Sequence, residues 1–354
     1  MFNYFEKLTG EPEHDMKAFF RQVTNAFGVK DIHELGVKLM EICEAHDIMG
    51  FETFCCYTPA LNEDWLRRFW QYFGADRKGL KQDFTPPTLG LLATHLLGSK
   101  KLDTLYDCCG GTGSLTIQMW VLDDTFTAVC QELDGEVIPF LLFNLAVRNI
   151  EGWVVHGNAL TGEIFQTYEL TQGDMDAKVT KIGIDPGPFV CDAGISNPPF
   201  NLSYKAPDVE RLFGEASEEP IPRTGNYAFV DHVLKLGRGN SVLILPPSVN
   251  TDPKDKDYIK YLVDENKLAG VFQMPANMFE STNIGVVLLL LNPNRGADEK
   301  ICLMDCRAFG LTRQREQSGT DHTANRVYKK MKMQKPFAKV ARRTMIPYKA
   351  YLPD

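Results

Sequence analysis

Several signatures that sort proteins quickly are missing from these 354 residues. The longest apolar run, Ile284 to Leu291, holds eight residues, where a bilayer-spanning helix needs about 20. The N-terminus, Met-Phe-Asn-Tyr-Phe-Glu-Lys, has neither the basic flank nor the apolar stretch of a signal peptide. Cys-x-x-Cys spacing is absent, and the nine cysteines are odd in number and scattered, with adjacent pairs at Cys55-Cys56 and Cys108-Cys109. That usage argues for reduced thiols over a disulfide framework or a zinc site. The sequence therefore predicts a cytoplasmic protein without membrane segment or metal. Internal repeats and low-complexity stretches are lacking as well. What is present, 44% hydrophobic and 24% charged residues, suits one large α/β domain with appendages.

Positive charge is in deficit, with 38 Lys and Arg against 46 Asp and Glu, and it is unevenly spread. From Leu311 to Asp354 eleven basic residues face three acids, so this segment carries +8 and the rest −16. A basic arm on an acidic body is suited to phosphate backbones; a solvated tail is the other reading. Within it Lys329, Lys330, Arg342 and Arg343 are the candidate nucleic-acid contacts.

Residues 1–80 show helical periodicity and read as a small helical domain. Met16, Phe19, Phe20 and Val23 share a face, and Asp31 is placed to cap a helix over Ile32 to Ala45. Trp65, Phe69, Trp70 and Phe73 mark a further helix ending near Gly74, and these aromatics suit a core better than a binding stripe. Thr85 is expected to cap a helix begun by Pro86 and Pro87. Strand and helix signals then alternate, which predicts a doubly wound parallel sheet over residues 81–310. Strands are expected at 103–107, 127–132, 153–156, 193–196, 241–245, 269–273, 285–291 and 301–304. Helices are expected at 114–121, 136–149, 227–236 and 257–266.

The stretch Leu102 to Leu115 organises this alternation: a strand, an acid at its end, and Gly110, Gly111 and Gly113 in a turn entering a helix. Glycine lets backbone approach a ligand where a Cβ would clash, Gly110 foremost. No Gly-Lys-Ser/Thr follows, and a Gly-x-Gly-x-x-Gly fingerprint cannot be laid on these glycines. With Asp107 before the turn, S-adenosylmethionine is the ligand that remains; a purely structural turn is the alternative. One strand later Glu132 is placed to accept ribose hydroxyls, with Asp134 as a second candidate or a helix cap. Asn158, after the third strand, either reaches an adenine ring or forms a plain turn.

The strongest signal is Ser196-Asn197-Pro198-Pro199-Phe200 at the end of the fourth strand. An exocyclic or amide nitrogen is a poor nucleophile because its lone pair is delocalised. Holding it with the Asn197 side-chain oxygen and the Pro198 carbonyl restores its nucleophilic geometry, while Pro198 and Pro199 fix the backbone. Phe200 then offers a face to a flipped base. The polar loop from Asn201 to Gly225 carries Lys205, Arg211 and Arg223, which can close over an extruded nucleotide.

Phe84-Thr85-Pro86, Asp107-Cys-Cys-Gly-Gly-Thr-Gly, Glu132 and Asn197-Pro-Pro-Phe200, in this order, resemble the N6-adenine DNA methyltransferases of type I restriction-modification systems, the modification subunits. Asn226 to His232, Leu243 to Pro247 and Thr282 to Leu290 agree, so the likeness covers about residues 80–310. It implies a Rossmann-like methyltransferase sheet with an antiparallel strand near Gly285, S-adenosylmethionine as donor and adenine N6 in DNA as acceptor. It also implies that Thr85 and Pro86 border the methionine moiety, with Phe84 and Asn197 among the cofactor-binding residues. Asp107, Gly110, Gly111, Gly113 and Asn158 would then border the cofactor, Glu132 its ribose, and Asn197 to Phe200 the base. Asn158 stands where many relatives carry an acid, and its amide supplies one acceptor and donors there. A separate specificity subunit is the implied partner. Two other readings stay open: a methylase of RNA or of a protein glutamine, since Asn-Pro-Pro-aromatic serves any planar amino group, and a non-catalytic DNA-binding relative.

Overall fold

The computed structural model describes residues 12–58, 61–74, 85–98, 101–183, 190–203, 220–276, 278–279 and 285–307. Its first four helices are α1 (Pro12–Phe27), α2 (Ile32–Ala45), α3 (Ile48–Tyr57) and α4 (Trp65–Phe73). Aspartates cap the last three: Asp31 accepts from the His33 and Glu34 amides, Asp47 from Gly50 and Asp64 from Arg67. Each carboxylate stands in for the carbonyl that a first turn lacks. Only the Asp31 cap is among the expectations, and α3, which buries just Gly50, Phe51 and Phe54, has no counterpart there.

Helix α5 (Pro87–Leu97) is capped by Pro86 without a side-chain bond, which corrects the expected role of Thr85. Pro86 sits at φ −67 and ψ 150, so the prolines themselves pre-set the turn and no hydroxyl is required. Then follow β1 (Thr104–Asp107), α6 (Ser114–Leu122), β2 (Thr127–Glu132), α7 (Ile138–Ala146), β3 (Gly152–Asn158), β4 (Glu163–Thr171), β5 (Lys178–Ile182) and β6 (Ala193–Ser196). The chain continues through α8 (Gly225–Leu236), β7 (Ser241–Leu245), α9 (Lys256–Asp264), β8 (Leu268–Gln273), β9 (Val287–Leu291) and β10 (Cys302–Asp305).

These described strands form one sheet in the order β10-β8-β9-β7-β6-β1-β2-β3-β4-β5. The centre is parallel: β1 pairs with β2 and β6, β2 with β3, and β6 with β7. Strand β9 runs antiparallel between β7 and β8, as the family resemblance implies near Gly285. The hairpin β4–β5 extends the sheet beyond β3 in antiparallel sense.

Both faces are covered. Along β7, Val242 and Ile244 join an apolar cluster with α5, α6 and α7, whereas Leu243 and Leu245 join a second one with α8 and α9. This two-residue alternation inside a fully buried strand is what a sheet packed on both sides requires. The N-terminal helices belong to the first cluster: Phe51 and Phe54 lie 5.1 and 5.0 Å from Phe143, and Trp70 lies 5.0 Å from Phe140. Each fully buried side chain of this size contributes about 1.5–3 kcal/mol. Of the described helices, none is long and apolar enough to cross a membrane.

Strand β1 is where the order reverses, the chain winding outward to β2 and β3 on one side and then to β6 and β7 on the other. In such sheets the crevice opens at the carboxyl ends of the strands flanking that point.

Candidate functional site

A cleft of about 180 Å³ lies at that position. It brings together Thr85, Asp107, Gly110, Gly111, Glu132, Asn158 and the whole run Asn197 to Phe200, residues that the sequence scatters over more than a hundred positions. Pro86, Gly113 and Arg223 do not line it: Pro86 caps α5, Gly113 caps α6, and Arg223 is exposed with its amide bonded to Asp255. Phe84, Lys205, Arg211, Lys329, Lys330, Arg342 and Arg343, with the basic arm as a whole, lie outside the described residues.

Asp107 ends β1 and is 1% exposed. Its Oδ1 accepts the Ser196 hydroxyl at 2.8 Å and the Cys109 amide at 3.1 Å. Its Oδ2, equally buried, has no hydrogen-bond partner among the described residues. Burial pushes this carboxyl up to about 7; the bonds from Ser196 and Cys109 pull against that, and nearby Glu132 adds to it. The β1 terminus thus holds an acid that a cationic or hydrogen-donating ligand would satisfy.

The glycine turn is wired to the neighbouring strand. Gly110 donates to the Gln131 carbonyl at 2.8 Å, and Gly111 donates to Glu132 Oε2 at 2.8 Å. Gly111 and Gly113 have φ +54 and +94, the region where a Cβ is costly. Gly110 does not have this need. A Cβ there would meet Cys130 and Leu141 side-chain atoms at 3.4 Å, ordinary contacts toward β2 and α7, and Gly110 lines the cleft.

Glu132 is half-buried and its second oxygen, Oε1, accepts the Asp134 amide at 2.8 Å. Burial raises its carboxyl, against the bonds from Asp134 and Gly111. Each oxygen of a carboxylate retains a further lone pair, so Glu132 can take a ligand donor while it ties two loops together. Asp134 also lines the cleft, and its Oδ1 accepts the Glu136 amide at 3.0 Å in the turn before α7, whose cap is Val137 without a side-chain bond. At the end of β3 Asn158 Oδ1 accepts the Leu160 and Thr161 amides at 3.0 and 3.2 Å. The turn occupies the oxygen and leaves the amide nitrogen as the group for a ligand.

Asn197 leaves the end of β6, with Pro198 buried and Asn197, Pro199 and Phe200 half-buried along the cleft. Phe200 meets Phe279 edge-on at 5.8 Å. The next residue, Asn201, has φ +51, and three contacts hold it there. Its amide donates to Asn226 Oδ1 at 3.0 Å, while its Oδ1 accepts from Asn226 Nδ2 at 3.2 Å and from the Ser248 hydroxyl at 2.8 Å. Sequence reasoning quoted Ser196, Cys109 and Asn226 within its motif stretches without giving them a role and left out Ser248; for Asn201 the local signal is that Asn tolerates positive φ.

Residues 64–351 match the family model described as N-6 DNA Methylase. The type I restriction enzyme MpnII methylase subunit of Mycoplasma pneumoniae is 26% identical over 325 residues, covering 86% of this chain and 58% of that protein. The chain therefore spans less than two thirds of that curated relative. A type I restriction-modification methyltransferase subunit from Streptococcus thermophilus matches with TM-score 0.58 at 19% identity, over 76% of this chain and 58% of that one. A Listeria monocytogenes structure assigned to the class I S-adenosylmethionine-dependent methyltransferases matches with TM-score 0.57 at 15% identity, over 90% and 98%. At these identities the structural likeness speaks for the fold.

Proposed function

Because the chain belongs to the N-6 DNA methylase family, we propose that it transfers a methyl group from S-adenosylmethionine to N6 of adenine in DNA. The observation that carries this reading is the single cleft in which Asp107, Glu132 and Asn197 to Phe200 meet. The residues present fit the cofactor: Asp107 Oδ2, without a partner among the described residues, suits an ammonium or hydroxyl donor, and Glu132 suits a ribose. When bound, S-adenosylmethionine supplies a methyl group on a sulfonium. The chain's own task is positioning. Asn197 Oδ1 and the Pro198 carbonyl accept the two N–H bonds of the acceptor amino group, and Phe200 stacks on the base, which is proximity and electrostatic catalysis without a strong general base. Extruding a base costs about a few kcal/mol, of which stacking returns about 1–3 kcal/mol.

The division into a helical segment (1–80), a catalytic unit (81–310) and a basic arm (311–354) is part of this proposal, as are Lys205, Arg211 and Arg223 over the nucleotide. The arm neutralises phosphates without reading sequence, and a separate specificity subunit supplies recognition. Affinity for DNA should then fall with salt at a slope of about −0.9 per phosphate neutralised, and truncation after Gly310 should flatten it. The deciding experiment offers DNA, RNA and protein to the purified chain with tritiated S-adenosylmethionine, alone and with its specificity partner. Label in DNA is expected as N6-methyladenine, and label confined to RNA or protein would overturn the acceptor assignment.

A further inference from the structure

The geometry points to Asp64 as a positioning residue of the cofactor loop, acting from the helical segment through the hydroxyl of Ser114. This rests on the cofactor reading above. Asp64 is 6% exposed and does not line the cleft. Its Oδ2 accepts the hydroxyls of Thr112 and Ser114, both at 2.6 Å, and its Oδ1 accepts the Asn144 side-chain amide and the Arg67 backbone amide, both at 2.8 Å. All four partners are donors, the set that an acceptor-only carboxylate satisfies. Thr112 is held a second time, its carbonyl accepting from Asn144 Nδ2 at 2.7 Å.

Thr112 and Ser114 flank Gly113, the cap of α6 at φ +94, and this cap has no side-chain bond of its own. Asp64 therefore does from 48 and 50 residues away what a local cap does elsewhere: it fixes the residues on either side of a strained glycine. It also sets the polarity of the site. Ser114 lines the cleft, and with its one proton committed to Asp64 its oxygen faces a ligand only as an acceptor. The ligand group beside Ser114 is thus a hydrogen donor, in keeping with the orphaned acceptor at Asp107.

Asp64→Asn tests this with little change of shape. Asn caps helices about as well as Asp, and its oxygen can keep the Arg67 and Asn144 bonds. Its NH2 then points at the two hydroxyls, which must accept, so their protons turn away. Calorimetry with S-adenosylmethionine should show affinity lowered about tenfold or more, the scale of one charge-assisted hydrogen bond, with the unfolding midpoint close to wild type. Asp31→Ala, which removes the α2 cap remote from the cleft, should lower the midpoint and leave affinity unchanged. In a Ser114→Ala background, Asp64→Asn should have little further effect, which keeps the idea testable if the single variant is poorly folded. Wild-type affinity in Asp64→Asn, or an equal loss in Asp31→Ala, overturns the inference alone. A wild-type chain that binds no S-adenosylmethionine overturns the cofactor reading beneath it.

Discussion

Asp107 is the residue whose replacement separates stability from function. Burial moves its carboxyl from an ordinary 3.8 to about 7, and about 1.4 kcal/mol accompanies each unit. A folded-state value raised in this way means that stability present at low pH is lost as pH rises through 3.8 toward 7, because the unfolded chain ionises freely while the folded one resists. At pH 8 the wild type therefore carries a cost of roughly 4 kcal/mol, and at pH 5 less than about 2 kcal/mol. Asp107→Asn keeps an oxygen for the Ser196 hydroxyl and the Cys109 amide and places an NH2 where Oδ2 stood. It should unfold at higher urea than wild type at pH 8, with the advantage shrinking by about half or more at pH 5. The same substitution puts a donor opposite the ligand's donor, so calorimetry should show affinity for S-adenosylmethionine reduced at least about tenfold. A variant no more stable than wild type at pH 8, or an advantage that does not shrink on acidification, would refute the buried-charge reasoning. Unaltered cofactor affinity would remove Asp107 from the binding site.

Asn197→Ala should keep cofactor affinity within a few fold yet cut methyl transfer by about 10²-fold or more, measured as tritium incorporated into DNA. Gly113→Ala should lose about 1–2 kcal/mol in urea unfolding because φ +94 is strained for any Cβ, while Gly110→Ala should change stability far less; equal losses would discount the backbone argument. His232, held down at about 4 by burial, lends stability that is fully present above pH 6.5 and fades as pH falls toward 4, about 3 kcal/mol in all. Comparing wild type with His232→Gln across that range isolates this slope from the opposite one of Asp107, and parallel curves would contradict it.

How much of this was legible in the sequence depended on whether the physical cause was local. Strands β2, β6 and β7 occupy the expected residues because their buried centres, Ala128 to Cys130, Ala193 to Ile195 and Val242 to Leu245, read as apolar runs between turn signals. The hairpin β4–β5 went unread since its strands lie at a sheet edge, half exposed, with polar residues interleaved through Ile164, Phe165, Tyr168 and Leu170. Helix α7 stops at Ala146 instead of 149, where Asn149 turns to φ +55 and binds Gly173 through both side-chain atoms. Motif chemistry placed Asp107, Glu132 and Asn197 in one cleft. It could not reveal that Glu132 and Asn158 already serve the backbone, because those bonds depend on where loops settle.

The cleft has two walls, one from the ends of β1, β2 and β3 with Asp107, Glu132 and Asn158, the other from the end of β6 with Asn197 to Phe200. Ser196, the last residue of β6, joins them: it donates its hydroxyl to Asp107 across 89 residues of sequence and accepts from the Cys108 thiol at 3.3 Å. Asp107 thus lines the cleft and with its Oδ1 holds the residue that precedes Asn197. A ligand that satisfies the free oxygen favours the ionised acid, and an ionised acid binds the Ser196 hydroxyl more strongly. On the proposed assignment, filling the cofactor half would tighten the backbone from which the acceptor half is built, through the side chain at the β1 sheet reversal that holds Ser196.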